Sequence, residues 1–183
     1  MRKKSFMKML LVGLGYMFMG NLLATIMAFS LSSLMSETFM VGMAALFAMA
    51  IYLLLVAVPA YKDGVAEGIK AKNQSPDESI AKPKHTWALI GVILCGVMLI
   101  PTIVYLSGSL NMGVYRLICG AIFPLSYFFE WTVLGDIGIT ERGFYGFAPF
   151  VFMGFYALTI PACHLGFMLG FGDKLNKDKI MYK

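Results

Sequence analysis

Few side chains in this sequence can do chemistry inside an apolar environment. Two long uncharged stretches hold Asn21 and His164. A polar group within a membrane is costly, so each is a functional candidate by default. The Asn21 amide can hydrogen-bond to another helix or line a polar cavity. The His164 imidazole can relay protons or bind a ligand, or it can be a structural histidine satisfied between two helices.

A second group of candidates lies between residues 116 and 142, where charged side chains stand among aromatic ones. Arg116 and Glu130 are the two that we single out. They would be about 21 Å apart on one straight helix, but a bend at Pro124 would bring them together. This reading predicts a mouth that presents a charged group to a ligand. The alternative is an aromatic belt that anchors the chain at a membrane surface.

No motif for catalysis or metal binding accompanies these candidates. A metal site normally needs three or four ligands, and the only other histidine is His85. Each cysteine stands alone in an apolar run, without a CxxC pair. The glycine-punctuated segment 135–146 lacks the lysine of a phosphate loop. The sequence therefore predicts no enzyme, no metal and no cofactor, and an intramembrane enzyme is the least favoured function.

The elements that must position these residues follow from composition. The chain has 183 residues, of which 59% are hydrophobic and 14% charged, whereas roughly a quarter are charged in soluble domains. This excludes both a soluble domain and a disordered chain. The net charge of +5 comes from basic residues at the ends of apolar stretches, which indicates membrane topology and not nucleic-acid binding. The predicted fold is an all-α integral membrane protein.

Four apolar stretches reach the roughly 20 residues that a spanning helix needs. They are residues 9–35, 38–61, 86–106 and 144–172. The first is too long for the apolar core of a signal peptide, so we interpret it as an uncleaved span. Residues 62–85 are rich in lysine and acids and contain prolines, which predicts a cytoplasmic loop with room for a short helix near 65–71.

Residues 112–134 form a fifth, ambiguous apolar segment: a re-entrant or interfacial piece, or a fifth span. With four spans, all basic residues except Arg116 and Arg142 lie on the cytoplasmic side. With five, the lysine-rich tail moves to the opposite side. The positive-inside rule therefore favours four spans plus the short piece, with both termini in the cytoplasm. The composition suggests a bacterial inner or plasma membrane.

Small residues recur on one face of the first and last spans and predict helix contacts, since they let backbones approach closely. Contact between these two faces is one option. Prolines within apolar segments are candidate hinges, because proline removes a helical hydrogen bond. The packing residues are Gly13, Gly20, Ala24, Ala28, Ala162, Gly166 and Gly170, and the hinge residues are Pro101, Pro124 and Pro161.

Two hypotheses for function remain ahead of catalysis. The first is a non-catalytic membrane subunit that assembles with itself or with a larger membrane complex through its small-residue faces. The second is a small oligomeric transporter or channel for an ion or small solute, with Asn21, His164 and the segment 116–142 near the pathway. The expected partners are the lipid bilayer and membrane proteins, without nucleic acid.

Overall fold

The computed structural model describes residues 5–34, 38–74, 85–121, 139–140, 143–144 and 148–181. A two-residue antiparallel strand pairing, Ile139 with Phe144 and Thr140 with Gly143, accompanies the helices. The elements in chain order are α1 (Phe6–Leu34), α2 (Thr38–Gln74), α3 (Thr86–Leu106), α4 (Met112–Ile118), β1 (Ile139–Thr140), β2 (Gly143–Phe144), α5 (Ala148–Ala157) and α6 (Thr159–Met181).

Four stretches of helix within this described part are long and apolar enough to cross a membrane. They are Phe6–Leu31, Met40–Ala71, Thr86–Leu106 and Met153–Gly172. The prediction of an all-α chain with four such helices is confirmed, and the architecture is compatible with a multi-pass membrane protein. Helices suit these long apolar runs because a helix pairs the backbone N–H and C=O groups of its interior within the segment itself.

Local signals at the ends of α3 explain its bounds. The His85 carbonyl accepts hydrogen bonds from the amides of Ala88 and Leu89, which starts the helix. At the other end, Gly108 has a φ of 77°. This left-handed conformation favours glycine and lets the chain turn away after the helix. α3 remains continuous through Pro101.

α2 extends well beyond the predicted span of 38–61. It continues to Gln74 and contains Pro59, so the first half of the predicted loop is helical. The physical reason is tertiary: this extension packs along α6, and packing stabilises a helix that Gly64 and Gly68 disfavour.

The predicted span 144–172 differs from the structure as well, because its helical part is divided at Leu158. The Leu158 amide bonds to the Phe155 carbonyl, and the Ala162 amide bonds to the Leu158 carbonyl, each at 3.1 Å. Pro161 has no amide to donate to the Ala157 carbonyl. It lies in the first turn of α6, where a missing amide costs little.

The helices form a bundle around α2. α2 packs most extensively against α6 and then α1, while α3 packs against α6, α5, α1 and α4. The order of contacts along each pair shows that α2 and α6 run parallel, and that α1 and α3 run opposite to them. The starts of α1 and α3 and the ends of α2 and α6 therefore share one end of the bundle. The largest fully buried side chains include Met17, Tyr52, Trp87, Ile90 and Leu94.

Candidate functional site

The predicted glycine face of α6 lies directly on α2. A Cβ built on Gly166 would stand 2.8 Å from the Ala57 carbonyl oxygen. A Cβ on Gly170 would overlap the Tyr61 carbonyl. The two backbones are thus as close as glycine permits, which is the geometry expected where small residues drive association of apolar helices.

α2 contributes a matching pair of glycines that were not among the predicted packing residues. A Cβ on Gly64 would overlap the Phe167 carbonyl, and one on Gly68 would stand 2.8 Å from the Phe171 carbonyl oxygen. Gly64 and Gly68 have the same spacing of four as the α6 glycines. That spacing was the available signal, but the lysines and acids around it favoured a loop.

The small-residue face of α1 meets two helices. A Cβ on Gly13 would contact Ile90 and Leu94 of α3 at 3.3 and 3.4 Å, and one on Gly20 would contact Tyr52 of α2 at 3.5 Å. Ala24 and Ala28 are fully buried. The glycine faces of α1 and α6 therefore meet α2, and α1 also meets α3, so they do not pack mainly on each other. Ala162 is half-buried.

Asn21 joins the middle of α1 to the end of α4. Its Nδ2 donates a hydrogen bond of 2.8 Å to the Ile118 carbonyl oxygen. Within the described residues, the buried Asn21 Oδ1 has no hydrogen-bond partner, and neither has the buried Thr25 Oγ1 one turn further along α1. The amide thus has a structural contact on one side and free acceptor capacity on the other.

Hydroxyl groups hold the other side of α4. The Tyr115 hydroxyl and Thr102 Oγ1 of α3 are hydrogen-bonded at 3.1 Å, and both residues are buried. The Tyr105 ring stacks on the Tyr115 ring with centroids 4.7 Å apart. Cys119, just after α4, is buried beside Tyr115 and Thr102. α4 is therefore fixed to α1 through an amide and to α3 through a hydroxyl pair.

A second hydroxyl pair lies at the break between α5 and α6. The Tyr52 hydroxyl and Thr159 Oγ1 are hydrogen-bonded at 3.2 Å, and both residues are fully buried. The Tyr156 ring meets the Tyr52 ring edge to face at 6.2 Å, and its hydroxyl lies near the Cys119 thiol. The sequence-based predictions did not include these tyrosines and threonines. The available signal was the presence of hydroxyl groups within apolar runs, because a buried hydroxyl requires a hydrogen-bond partner.

The two histidines come together from distant parts of the chain. The His85 and His164 rings stack with centroids 5.5 Å apart, which joins the start of α3 to α6. His164 Nδ1 is buried and has no hydrogen-bond partner among the described residues. The contact is between ring faces, so it packs the two imidazoles together and leaves His164 Nδ1 available to a ligand. In the part of the chain that the structure describes, no group of three or more His, Cys, Asp or Glu side chains is placed to hold a metal ion.

Only one of the two charged candidates lies among the described residues. Arg116 lies within α4, whereas Glu130 and the hinge candidate Pro124 lie outside the described residues. The pairing of Arg116 with Glu130 stays a prediction. Among the other hinge candidates, Pro161 lies beside an observed break in the helix and Pro101 lies inside an unbroken one.

The outer faces of the four long helices are apolar. Leu22 of α1, Leu54 of α2, Ile103 of α3 and Leu169 of α6 are each more than half exposed. Gly15, Gly96 and Gly154 also lie on open surfaces, because a Cβ on any of them would meet nothing within 4 Å. Nothing in the described part of the chain covers these faces.

Comparison of the chain with models of protein families, with curated proteins and with solved structures finds no match. The contacts described above are therefore the features of the molecule that indicate its function. They comprise a backbone-to-backbone α2–α6 interface, polar contacts that hold α4, a histidine pair, and apolar faces exposed on all four long helices.

Proposed function

We propose that the chain is a multi-pass integral membrane protein whose four long helices cross the bilayer. Their exposed apolar faces carry this proposal. Soluble monomers rarely expose contiguous apolar patches larger than a few hundred Å², and here every long helix exposes several large apolar side chains. Lipid covers such faces without cost, while the polar groups of the core are directed inward.

We further propose that both termini lie in the cytoplasm. The starts of α1 and α3 share one end of the bundle with the ends of α2 and α6, and among the described residues this end carries Lys8, Lys62 and Lys70. An excess of lysine marks the cytoplasmic side. A reporter enzyme fused after Lys183 tests this: cytoplasmic activity is expected, and a signal from the opposite side would overturn the topology.

The short segment after α3 is proposed to be re-entrant. Gly13 of α1 lies level with Ile90 and Leu94 of α3, so at the same rise per residue Asn21 is level with about Ile100. α3 continues to Leu106. The bond from Asn21 to Ile118 therefore supports a dip of α4 about 9 Å below the end of α3.

Within the membrane, the function that we propose is that of a non-catalytic subunit of a homo-oligomer or of a larger membrane complex. The packing inside the chain uses Gly64, Gly68, Gly166 and Gly170. The glycines left for a partner are those on open faces, with Gly96 of α3 the clearest because exposed apolar residues flank it. A neighbouring helix can approach closely there.

Co-purification in mild detergent tests the subunit proposal. A stoichiometric partner or a defined homo-oligomer is expected to accompany the tagged wild-type chain. Gly96→Leu should reduce this association while the purified chain keeps its melting temperature. Gly172→Leu, at an open position on α6, serves as the control and should leave association unchanged. A strictly monomeric chain without partners would contradict the proposal.

A transporter or channel is the second candidate, and a specific observation favours it. Asn21 Oδ1, Thr25 Oγ1 and His164 Nδ1 are buried without partners in the described part of the chain. Such atoms can coordinate a cation or a small polar solute. Flux of monovalent cations into liposomes that contain only this protein tests the idea, and His164→Ala should abolish that flux. Liposomes without flux would remove a monovalent-cation pathway as a candidate.

A further inference from the structure

A cavity of about 100 Å³ lies between α1 and α2, near the end of the bundle where both helices carry lysines. This volume is well above the roughly 10–15 Å³ that one water molecule needs. α1 contributes one face of the cavity and α2 the other, around Pro59. The lining residues are Lys8, Met9, Val12, Tyr16, Pro59, Lys62 and Asp63.

The polar lining favours an anion of low charge. Lys8 and Lys62 are exposed, so their ammonium groups can reach a ligand, whereas Asp63 is buried. Lys62 Nζ is 6.0 Å from the centre of the Tyr16 ring, at the outer limit of a cation–π contact. Two lysines and one aspartate leave one net positive charge, which suits a singly charged phosphodiester better than a doubly charged free phosphate.

The apolar lining and the position in the bundle favour a lipid as the carrier of that phosphodiester. Met9, Val12 and Pro59 form the apolar wall, which suits the glycerol and upper acyl region of a phospholipid. Lys62 begins the charged part of α2, directly after its uncharged stretch. A group held there would lie at the depth of lipid headgroups if α1 and α2 cross the bilayer.

We propose that the cavity between α1 and α2 binds the phosphodiester headgroup of an anionic phospholipid, with Lys8 and Lys62 holding the phosphate. The proposal rests on the membrane placement argued above. Tyr16 orients Lys62 from the α1 side, and Asp63 limits the charge that the cavity accepts. The lipid would thereby join the start of α1 to the charged extension of α2.

Native mass spectrometry of the delipidated protein in detergent tests this with phosphatidylglycerol as the probe. Lys8→Gln and Lys62→Gln should each weaken phosphatidylglycerol binding about fivefold, the contribution of one lysine near an anionic lipid surface. Lys62→Arg should retain binding because it keeps the charge. Lys70→Gln is the matched control on α2, since Lys70 pairs with Glu67 at 3.2 Å outside the cavity, and it should bind like the wild type.

Two further probes identify the ligand. Diacylglycerol with the same acyl chains lacks the phosphodiester and should bind at least tenfold more weakly; equal binding would overturn the proposal. Inorganic phosphate at millimolar concentration should not displace the lipid, and displacement would overturn it in favour of a free phosphate. Equal lipid affinity of the Lys8→Gln, Lys62→Gln and Lys70→Gln variants would also overturn it.

Carbonate washing of cell membranes separates failure of this inference from failure of the proposed function. Release of the chain by washing would overturn the membrane placement and the lipid site together. Retention of the chain, combined with equal lipid affinity of all three glutamine variants, would overturn the lipid site alone.

Discussion

Between α2 and α6 the contact is made by backbones, whereas α4 is held by side chains. Gly64, Gly68, Gly166 and Gly170 allow carbonyl oxygens to approach where any side chain would collide. At α4, Asn21 and Thr102 instead reach across space to bond with a carbonyl and a phenol. The α2–α6 contact should therefore be disrupted by a single added methyl group. The α4 contacts should weaken stepwise, because each substitution there removes one hydrogen bond.

Gly170→Ala should have the largest effect, because its methyl group would overlap the Tyr61 carbonyl. We expect a loss of about 3 kcal/mol in the free energy of unfolding, at the upper end of ordinary overpacking. Gly172→Ala is the matched control on the same helix, where a Cβ meets nothing, and it should be neutral or stabilising by up to ~1 kcal/mol. Unfolding in mixed SDS micelles measures both, and equal stability of the two variants would refute the backbone contact.

Asn21→Leu should have a smaller effect on stability, about 1 kcal/mol, because it removes one interhelical hydrogen bond. Its sharper consequence is local. Release of Ile118 should expose Cys119, which is 3% exposed in the intact protein, so maleimide labelling located by mass spectrometry should rise at Cys119 and not at Cys95. Ser33→Ala, which removes an exposed bond within α1, should change neither quantity. Unaltered Cys119 labelling in Asn21→Leu would show that α4 is held by other contacts.

Tyr52→Phe should have the smallest effect, about 0.6 kcal/mol, the average for a hydrogen bond between membrane helices. The phenyl ring keeps its packing against Tyr156 and only the bond to Thr159 is lost. A double-mutant cycle with Thr159→Val isolates that bond. Strictly additive losses in the two single variants would show that the 3.2 Å contact contributes nothing.

The predictable part of the fold is the part decided by hydropathy alone. α3 begins at residue 86 and ends at residue 106, the bounds that its uninterrupted apolar run predicts. The end of α2 was harder to predict. Lys62, Asp63 and Glu67 favour a solvated loop, whereas the segment is a helix that packing against α6 stabilises. The sequence shows the spacing of Gly64 and Gly68 but not the carbonyls that approach them.

The residues of the candidate site that could be predicted are single polar side chains within long apolar runs, where burial of a polar group is costly. Asn21 and His164 stand out because they interrupt apolar runs. Their partners do not, since Ile118 contributes only a backbone carbonyl and His85 stands at the far end of a charged segment. Such pairings depend on helix order and direction, which local patterns do not encode.

The parallel contact of α2 with α6 has a consequence for biogenesis. α1 and α2 emerge from the ribosome first, yet the glycines of α2 find their partner only when α6 has been made, more than 80 residues later in the sequence. Contacts so distant along the chain form late in folding. Until then, the backbone at Gly64 and Gly68 lacks the cover of α6, and in the proposed topology it is open to lipid headgroups and to other proteins. In the proposed topology, a chain that stops before residue 159 should therefore be a substrate for membrane proteases although its α1–α2 hairpin is inserted.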